Sequence, residues 1–114
     1  MPDQGDIVLV PVPFTNLSAQ KRRPVVVISN NDYQSATADF VAVAMSSQPQ
    51  HTPYGFTITS TDLADGKLNR PTQVRADKIY TLAQSIVVRR FGRVNNGILD
   101  RIRTLIQTLV AETP

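Results

Sequence analysis

The chain has 114 residues, 41% hydrophobic and 18% charged, the balance of one globular domain (1–114) with room for one core and not two. No apolar run approaches the roughly 18 residues of a membrane span. The start, Met1-Pro2-Asp3-Gln4-Gly5-Asp6, lacks the basic-then-apolar pattern of a secretion signal, and the lack of cysteine excludes disulfides, thiolate chemistry and cysteine-held zinc or iron–sulfur centres.

Charge is unevenly divided. Residues 1–65 carry three basic and six acidic side chains and residues 66–114 carry nine and three, so a net −3 is followed by +6, with a pI near 9.7. A cationic second half favours a polyanionic partner, either nucleic acid or an acidic protein.

Gly5-Asp6 is a turn signal, and Ile7–Val12 reads as a first strand that Pro11 and Pro13 keep from continuing as a regular central strand. Phe14–Arg22 is a polar loop of nine residues, longer than a usual hairpin connection. It ends in Lys21-Arg22-Arg23, three cations in a stretch without acid between Asp6 and Asp32. Pro24 fixes its own φ and holds Arg23 extended, and Val25–Ile28 is a β-branched run of the kind buried on both faces. A guanidinium at the rim of such a strand is suited to gripping phosphate, because its planar fork of donors stays charged. Taken alone, the same residues also describe a solvated basic turn.

Asn30-Asn31-Asp32 marks a turn or helix start, with a short helical turn before Ala38. Asp39–Met45 is a second buried strand, ending abruptly at Ser46-Ser47-Gln48-Pro49-Gln50-His51. Tyr54, Phe56 and Ile58 alternate with small or polar residues, predicting a half-exposed strand paired across that turn. Asp65-Gly66 and Asn69-Arg70-Pro71 read as a connection without a core pattern. Gln73–Tyr80 and Ile86–Val94 read as two more strands, with Arg75, Lys78, Arg89, Arg90 and Arg93 at polar positions. Ile98, Leu99, Ile102, Leu105, Ile106, Leu109 and Val110 recur at helical spacing, and Asn95 or Asn96 can cap that helix. Five or six short strands and one amphipathic helix predict a mainly β, α+β fold, a small β-barrel closed by its terminal helix.

Much chemistry is excluded. His51 is the single histidine, so no imidazole pair is available, and no metalloprotease, nucleophile-elbow, phosphate-loop or EF-hand motif occurs. The acids stand singly apart from the loosely spaced Asp62 and Asp65, which argues against a two-metal nuclease and predicts neither metal nor cofactor. What remains is arginine, hydroxyl and amide groups at strand ends, enough to bind a phosphodiester and stabilise charge developing on it.

Gly5-Asp6-Ile7-Val8, the Ser18-Ala19-Gln20 loop, Arg22-Arg23-Pro24-Val25-Val26-Val27-Ile28-Ser29, Val43-Ala44-Met45-Ser46-Ser47-Gln48 and Gln73-Val74-Arg75 together resemble the ordered signature of the MazF/PemK family of toxin endoribonucleases. The resemblance implies an SH3-like barrel of five to seven strands with a C-terminal helix. It also implies a cytoplasmic homodimer, metal-independent cleavage of single-stranded RNA at short sequences, and neutralisation by a cognate acidic antitoxin. Promoter DNA would be reached only through the antitoxin complex, and no membrane is involved. On this resemblance the catalytic arginine falls on Arg23 and the family's catalytic threonine on Ser46, with Ser47 its neighbour if the register slips by one. Ser18, Gln20, Lys21, Arg22, Gln48, Gln73 and Arg75 fall on the RNA groove, and Ala19 stands where the family usually has glutamate. Two alternatives share the fold type: a gyrase poison resembling CcdB, and an RNA-binding barrel without activity. The first is disfavoured by the Ala111-Glu112-Thr113-Pro114 end, which lacks an aromatic terminus.

Overall fold

A computed structural model describes residues 1–11 and 21–114. Among them seven strands form one antiparallel sheet: β1 (Asp6–Val10), β2 (Arg23–Val27), β3 (Asp39–Ser46), β4 (Gly55–Ile58), β5 (Leu63–Gly66), β6 (Thr72–Ala83) and β7 (Arg89–Val94). Their order is β4-β6-β3-β2-β1-β7-β5. The sheet curls into a half-barrel whose edges, β4 and β5, do not pair with each other. A short helix, α1 (Asn31–Ala36), connects β2 to β3, and α2 (Asn96–Val110) follows β7.

The β-branched runs explain why the central strands lie where they do. Ile7, Val26, Val43, Met45, Val74 and Val94 point to one side and pack with Ile98, Leu99 and Ile102 of α2. Val8, Val10, Val25, Val27, Phe40 and Ala42 point to the other, where Leu82, Ile86 and Val87 fold over them. Val25, Val26 and Val27 are fully buried, as a strand covered on both faces requires. Each contributes about 1.5–3 kcal/mol of apolar burial. Among the described residues no helix is long and apolar enough to cross a membrane.

Asn95 caps α2, its Oδ1 accepting from the Ile98 N–H at 2.9 Å, and Asn30 caps α1 by accepting from Tyr33. The apolar stripe of α2 outruns the sheet. Ile98, Leu99 and Ile102 are buried and Leu105 and Ile106 partly so, but Leu109 and Val110 are exposed.

Three sequence expectations are corrected. β4 does not pair with β3 across the intervening turn: the N-terminal half of β6 lies between them, Gln73 opposing Ser46 on one side and Thr57 on the other. Leu63–Gly66 is a strand and not a plain connection. Its pattern is hidden because only Leu63 is partly buried, and its pairing depends on two glycines meeting backbone to backbone, Gly66 (φ +90°) and Gly92. A Cβ on Gly66 would collide with the Phe91 carbonyl. The strand expected from Ile86 starts at Arg89, since Gln84–Ile86 forms a single 3₁₀ turn. The first strand, expected to reach Val12, is described only to Val10, and most of the Phe14–Arg22 loop lies outside the described residues.

Truncating Ile102, fully buried between α2 and the sheet, removes contacts that nothing nearby can replace. Ile102→Ala should lower the unfolding free energy by about 2–5 kcal/mol in urea titrations followed by circular dichroism.

Candidate active site

The ladder between β2 and β3 decides which side chains meet. Val25 opposes Ala44 and Val26 opposes Val43, where the paired ladder ends; continued two residues from Val25 through Pro24, the same register brings Arg23 level with Ser46, and both side chains line the same two cavities. Ser46 in turn opposes Gln73 on β6. Directly opposed residues of antiparallel strands project to the same face, so Arg23, Ser46 and Gln73 form a row across three strands, with Arg75 one step along, opposite Ala44.

Two cavities, each of about 390 Å³, meet at this row. Both are lined by Arg23, Met45, Ser46 and Gln48. The first also takes in Lys21, Arg22 and Ser47 from the expected site, together with Lys67, Asn69 and Arg70 from the connection between β5 and β6. The second extends to Gln50, Arg75 and Lys78. No carboxylate lines either one.

That cationic surface survives because the acids are engaged elsewhere. Arg90 donates to the buried Asp6 (Nε–Oδ1, 3.0 Å) and pairs with Asp65 at 3.0 Å, which raises the guanidinium pKa further and lowers that of Asp65. Arg103 pairs with Asp100 at 2.7 Å, while Arg89 and Arg101 lie over the rings of Phe91 and Phe56. Lys21, Arg22, Lys67 and Arg70 meet no carboxylate within ion-pair distance among the described residues. A groove with such a surplus suits a polyanion.

Within the row each side chain has a distinct environment. Arg23 is half-buried, with its Nε enclosed by protein. The Ser46 hydroxyl folds over its own turn, accepting from the Gln48 N–H at 3.1 Å and donating to the Gln48 carbonyl at 3.2 Å. Gln73, 5% exposed, accepts from the Gln50 N–H at 2.9 Å and donates to the Gln50 carbonyl at 2.8 Å. Its amide therefore pins the 47–54 connection to β6, and the side chain itself lines neither cavity. Arg75 makes a bidentate pair with Asp77, both bonds 2.9 Å, so its charge is neutralised inside the wall.

The structure thus brings Arg23, Ser46, Ser47, Gln48, Lys21 and Arg22 to one groove, with Arg75 in the lining of the second cavity; Gln73, expected on the groove, is buried and lines neither cavity. Ser47 is exposed past the end of β3 and lines only the first cavity, whereas Ser46 lines both together with Arg23. Ser18 and Gln20 lie outside the described residues. Exposed His51 lines neither cavity. Sequence reasoning did not assign Lys67, Asn69, Arg70 or Lys78 to the site: the three cations were signalled only by the charge of the second half, and Asn69 had no signal. Among the described residues no three histidine, aspartate or glutamate side chains cluster as metal ligands.

A half-barrel with one terminal helix and a cationic groove at the ends of its central strands defines a compact class of β-protein, and the comparisons place the chain within it. The family described as PemK-like, MazF-like toxin of type II toxin–antitoxin system matches residues 3–110, and the chain belongs to that family. A mycobacterial endoribonuclease solved in complex with its cognate antitoxin is 24% identical, with a TM-score of 0.78 and 100% of both chains covered. A further mycobacterial endoribonuclease is 25% identical (TM-score 0.73), covering 99% of this chain and 95% of its own. A chain of a MazE–MazF crystal structure from Deinococcus radiodurans is similar at 22% identity (TM-score 0.76), with 98% of each chain covered. No curated protein matches.

The pair in the groove wall also gives the fold an acid-sensitive element. Hydrogen bonds from Arg75 hold the Asp77 carboxyl below the ordinary aspartate range, outweighing the opposing effect of partial burial. A depressed folded-state pKa stabilises above the unfolded value of about 3.9 and ceases to do so as pH falls through the lower folded value. In thermal melts from pH 7 to pH 2.5, the Asp77→Asn variant should start about 1 kcal/mol less stable than wild type and converge with it at the acid end.

Proposed function

We propose that the groove at Arg23 and Ser46 is the active site of a metal-independent endoribonuclease that cuts single-stranded RNA, the toxin of a type II toxin–antitoxin pair. The observation that supports this reading is that Arg23 and Ser46 both line two cation-lined cavities that share them. In the reaction, the ribose 2′-hydroxyl attacks the adjacent phosphorus, giving a 2′,3′-cyclic phosphate and a 5′-hydroxyl end; only RNA carries that nucleophile. Arg23 faces the pentavalent phosphorane, and its fork of donors takes up the charge that develops there. The Ser46 hydroxyl donates to a non-bridging oxygen. An arginine with a pKa above about 12 is a poor base at neutral pH, so charge stabilisation is its part and not proton abstraction.

Lys21, Arg22, Lys67 and Arg70 hold the strand by its phosphates, while unstacked bases lie over Gln48 and Phe91, which line the same groove. The protein acts in the cytoplasm as a homodimer, and its inhibitor is an antitoxin with an acidic segment that covers the cationic groove. Similar chains crystallised with an antitoxin or with MazE support that partner.

Incubating the purified protein in EDTA with a long, weakly structured RNA and mapping the new 5′ ends tests activity, metal dependence and sequence preference together. Arg23→Ala should leave no detectable cleavage while its melting curve overlays that of wild type. Ser46→Ala should lose about 10²–10³-fold in rate and Ser46→Thr should retain most of it. Undiminished cutting by Arg23→Ala would remove the site.

A further inference from the structure

β6 carries an irregularity next to the groove. Val43 pairs with Ile79, yet the next residue of β3, Ala44, pairs with Arg75, so Ala76, Asp77 and Lys78 bulge from the ladder between them. Bulges re-aim side chains, and these three go separate ways. Ala76 turns into the core and is fully buried, while Asp77 closes on Arg75. Lys78, half-buried, lines the second cavity together with Arg23 and Gln50. Both Asp77 oxygens are taken up by Arg75, and among the described residues Lys78 meets no carboxylate within ion-pair distance. With Arg75 neutralised, Lys78 is a cation without an ion pair that lines the second cavity and not the first.

We propose that Lys78 holds the phosphate next in line to the one facing Arg23, so that the polynucleotide runs from the first cavity, past Arg23 and Ser46, into the second. The inference rests on the ribonuclease reading and adds to it a substrate subsite on the far side of the cut. The two cations suit their places. A planar, rigid fork matches a phosphate whose geometry changes during reaction, whereas a compact ammonium on a flexible stem follows a phosphate that only has to be held. The bulge is what delivers that ammonium: in a regular β6 ladder the residue after Ala76 and Asp77 would continue the pairing with β3.

The test uses the full chain and an oligonucleotide spanning the mapped cleavage site, made uncleavable by a 2′-deoxy sugar at that position, with binding read by fluorescence anisotropy over a range of salt. Lys78→Gln should weaken binding about five- to tenfold at low salt and reduce the slope of log affinity against log salt by about 0.7, the share of one single-strand phosphate. Lys78→Arg should restore the slope. With the cleavable oligonucleotide the Lys78→Gln loss should fall on KM, and trimming nucleotides from one side of the cut, and not the other, should erase it. If wild type cuts RNA but Lys78→Gln matches it in affinity and slope, or its defect persists on both trimmed substrates, the subsite is overturned and the ribonuclease reading stands. If wild type neither binds nor cuts RNA, both are overturned.

Discussion

Val25, Val26 and Val27 expose no surface because the two faces of β2 are both covered, and this double burial fixes how β2 lies against β3. A slip of one residue would exchange the faces, turning Val26 away from α2 and setting Arg23 against Met45 or Ser47 in place of Ser46. Several buried β-branched side chains would then have to be re-housed, at about 1.5–3 kcal/mol each. The position of the guanidinium relative to the hydroxyl is therefore set by the core, several residues from where the chemistry is proposed. Pro24 adds to this by limiting Arg23 to extended conformations at the point where the strand meets the groove.

The cations divide into two groups by partner. Those along β7, and Arg75 on β6, are tied to aspartates or laid over aromatic rings: Arg90 joins β1, β7 and β5 through Asp6 and Asp65, and Arg75 closes on Asp77. Most of those around the groove come from segments without acids, Lys21-Arg22 before β2 and Lys67 to Arg70 before β6, while Lys78 follows an Asp77 already held by Arg75. The first group stiffens the sheet and contributes little net field. The second leaves a concentrated positive potential between low-dielectric walls, which attracts a polyanion and shortens its search for the site.

Legibility in the sequence followed physical type. Strands buried on both faces, Val25–Val27 and Phe40–Met45, were readable because burial demands an unbroken apolar run, and α2 was readable from its 3.6-residue stripe and the Asn95 cap. β5 was not, because an edge strand meeting β7 through Gly66 and Gly92 uses backbone and leaves no side-chain period. The pairing of β4 with β6 was missed for a related reason: alternation specifies which face is buried but not which neighbour is paired. Arg23 and Ser46 stood out through resemblance. Lys78 could not, since its place depends on a bulge that no local pattern announces.

The proposed donor begins in a bound state, and that shapes what it can contribute. The Ser46 hydroxyl donates to the Gln48 carbonyl at 3.2 Å, longer than a good O–H···O bond, and accepts from the Gln48 N–H at 3.1 Å, near the long end for N–H···O. Turning the O–H toward a phosphate oxygen gives up only the donated bond. The accepted one still holds the oxygen in place, and the turn itself is anchored by Gln73 through both polar groups of Gln50. The bond surrendered is neutral and worth about 0.5–1.5 kcal/mol, whereas the one formed to a charged oxygen is worth about 1.5–3 kcal/mol. The exchange becomes more favourable as negative charge grows on the phosphorus oxygens, so in the proposed reaction the hydroxyl would favour the transition state over the bound ground state. In the proposed reaction a threonine would make the same exchange with its rotamer further restricted by the methyl group, so the donor depends on the hydroxyl that serine and threonine share.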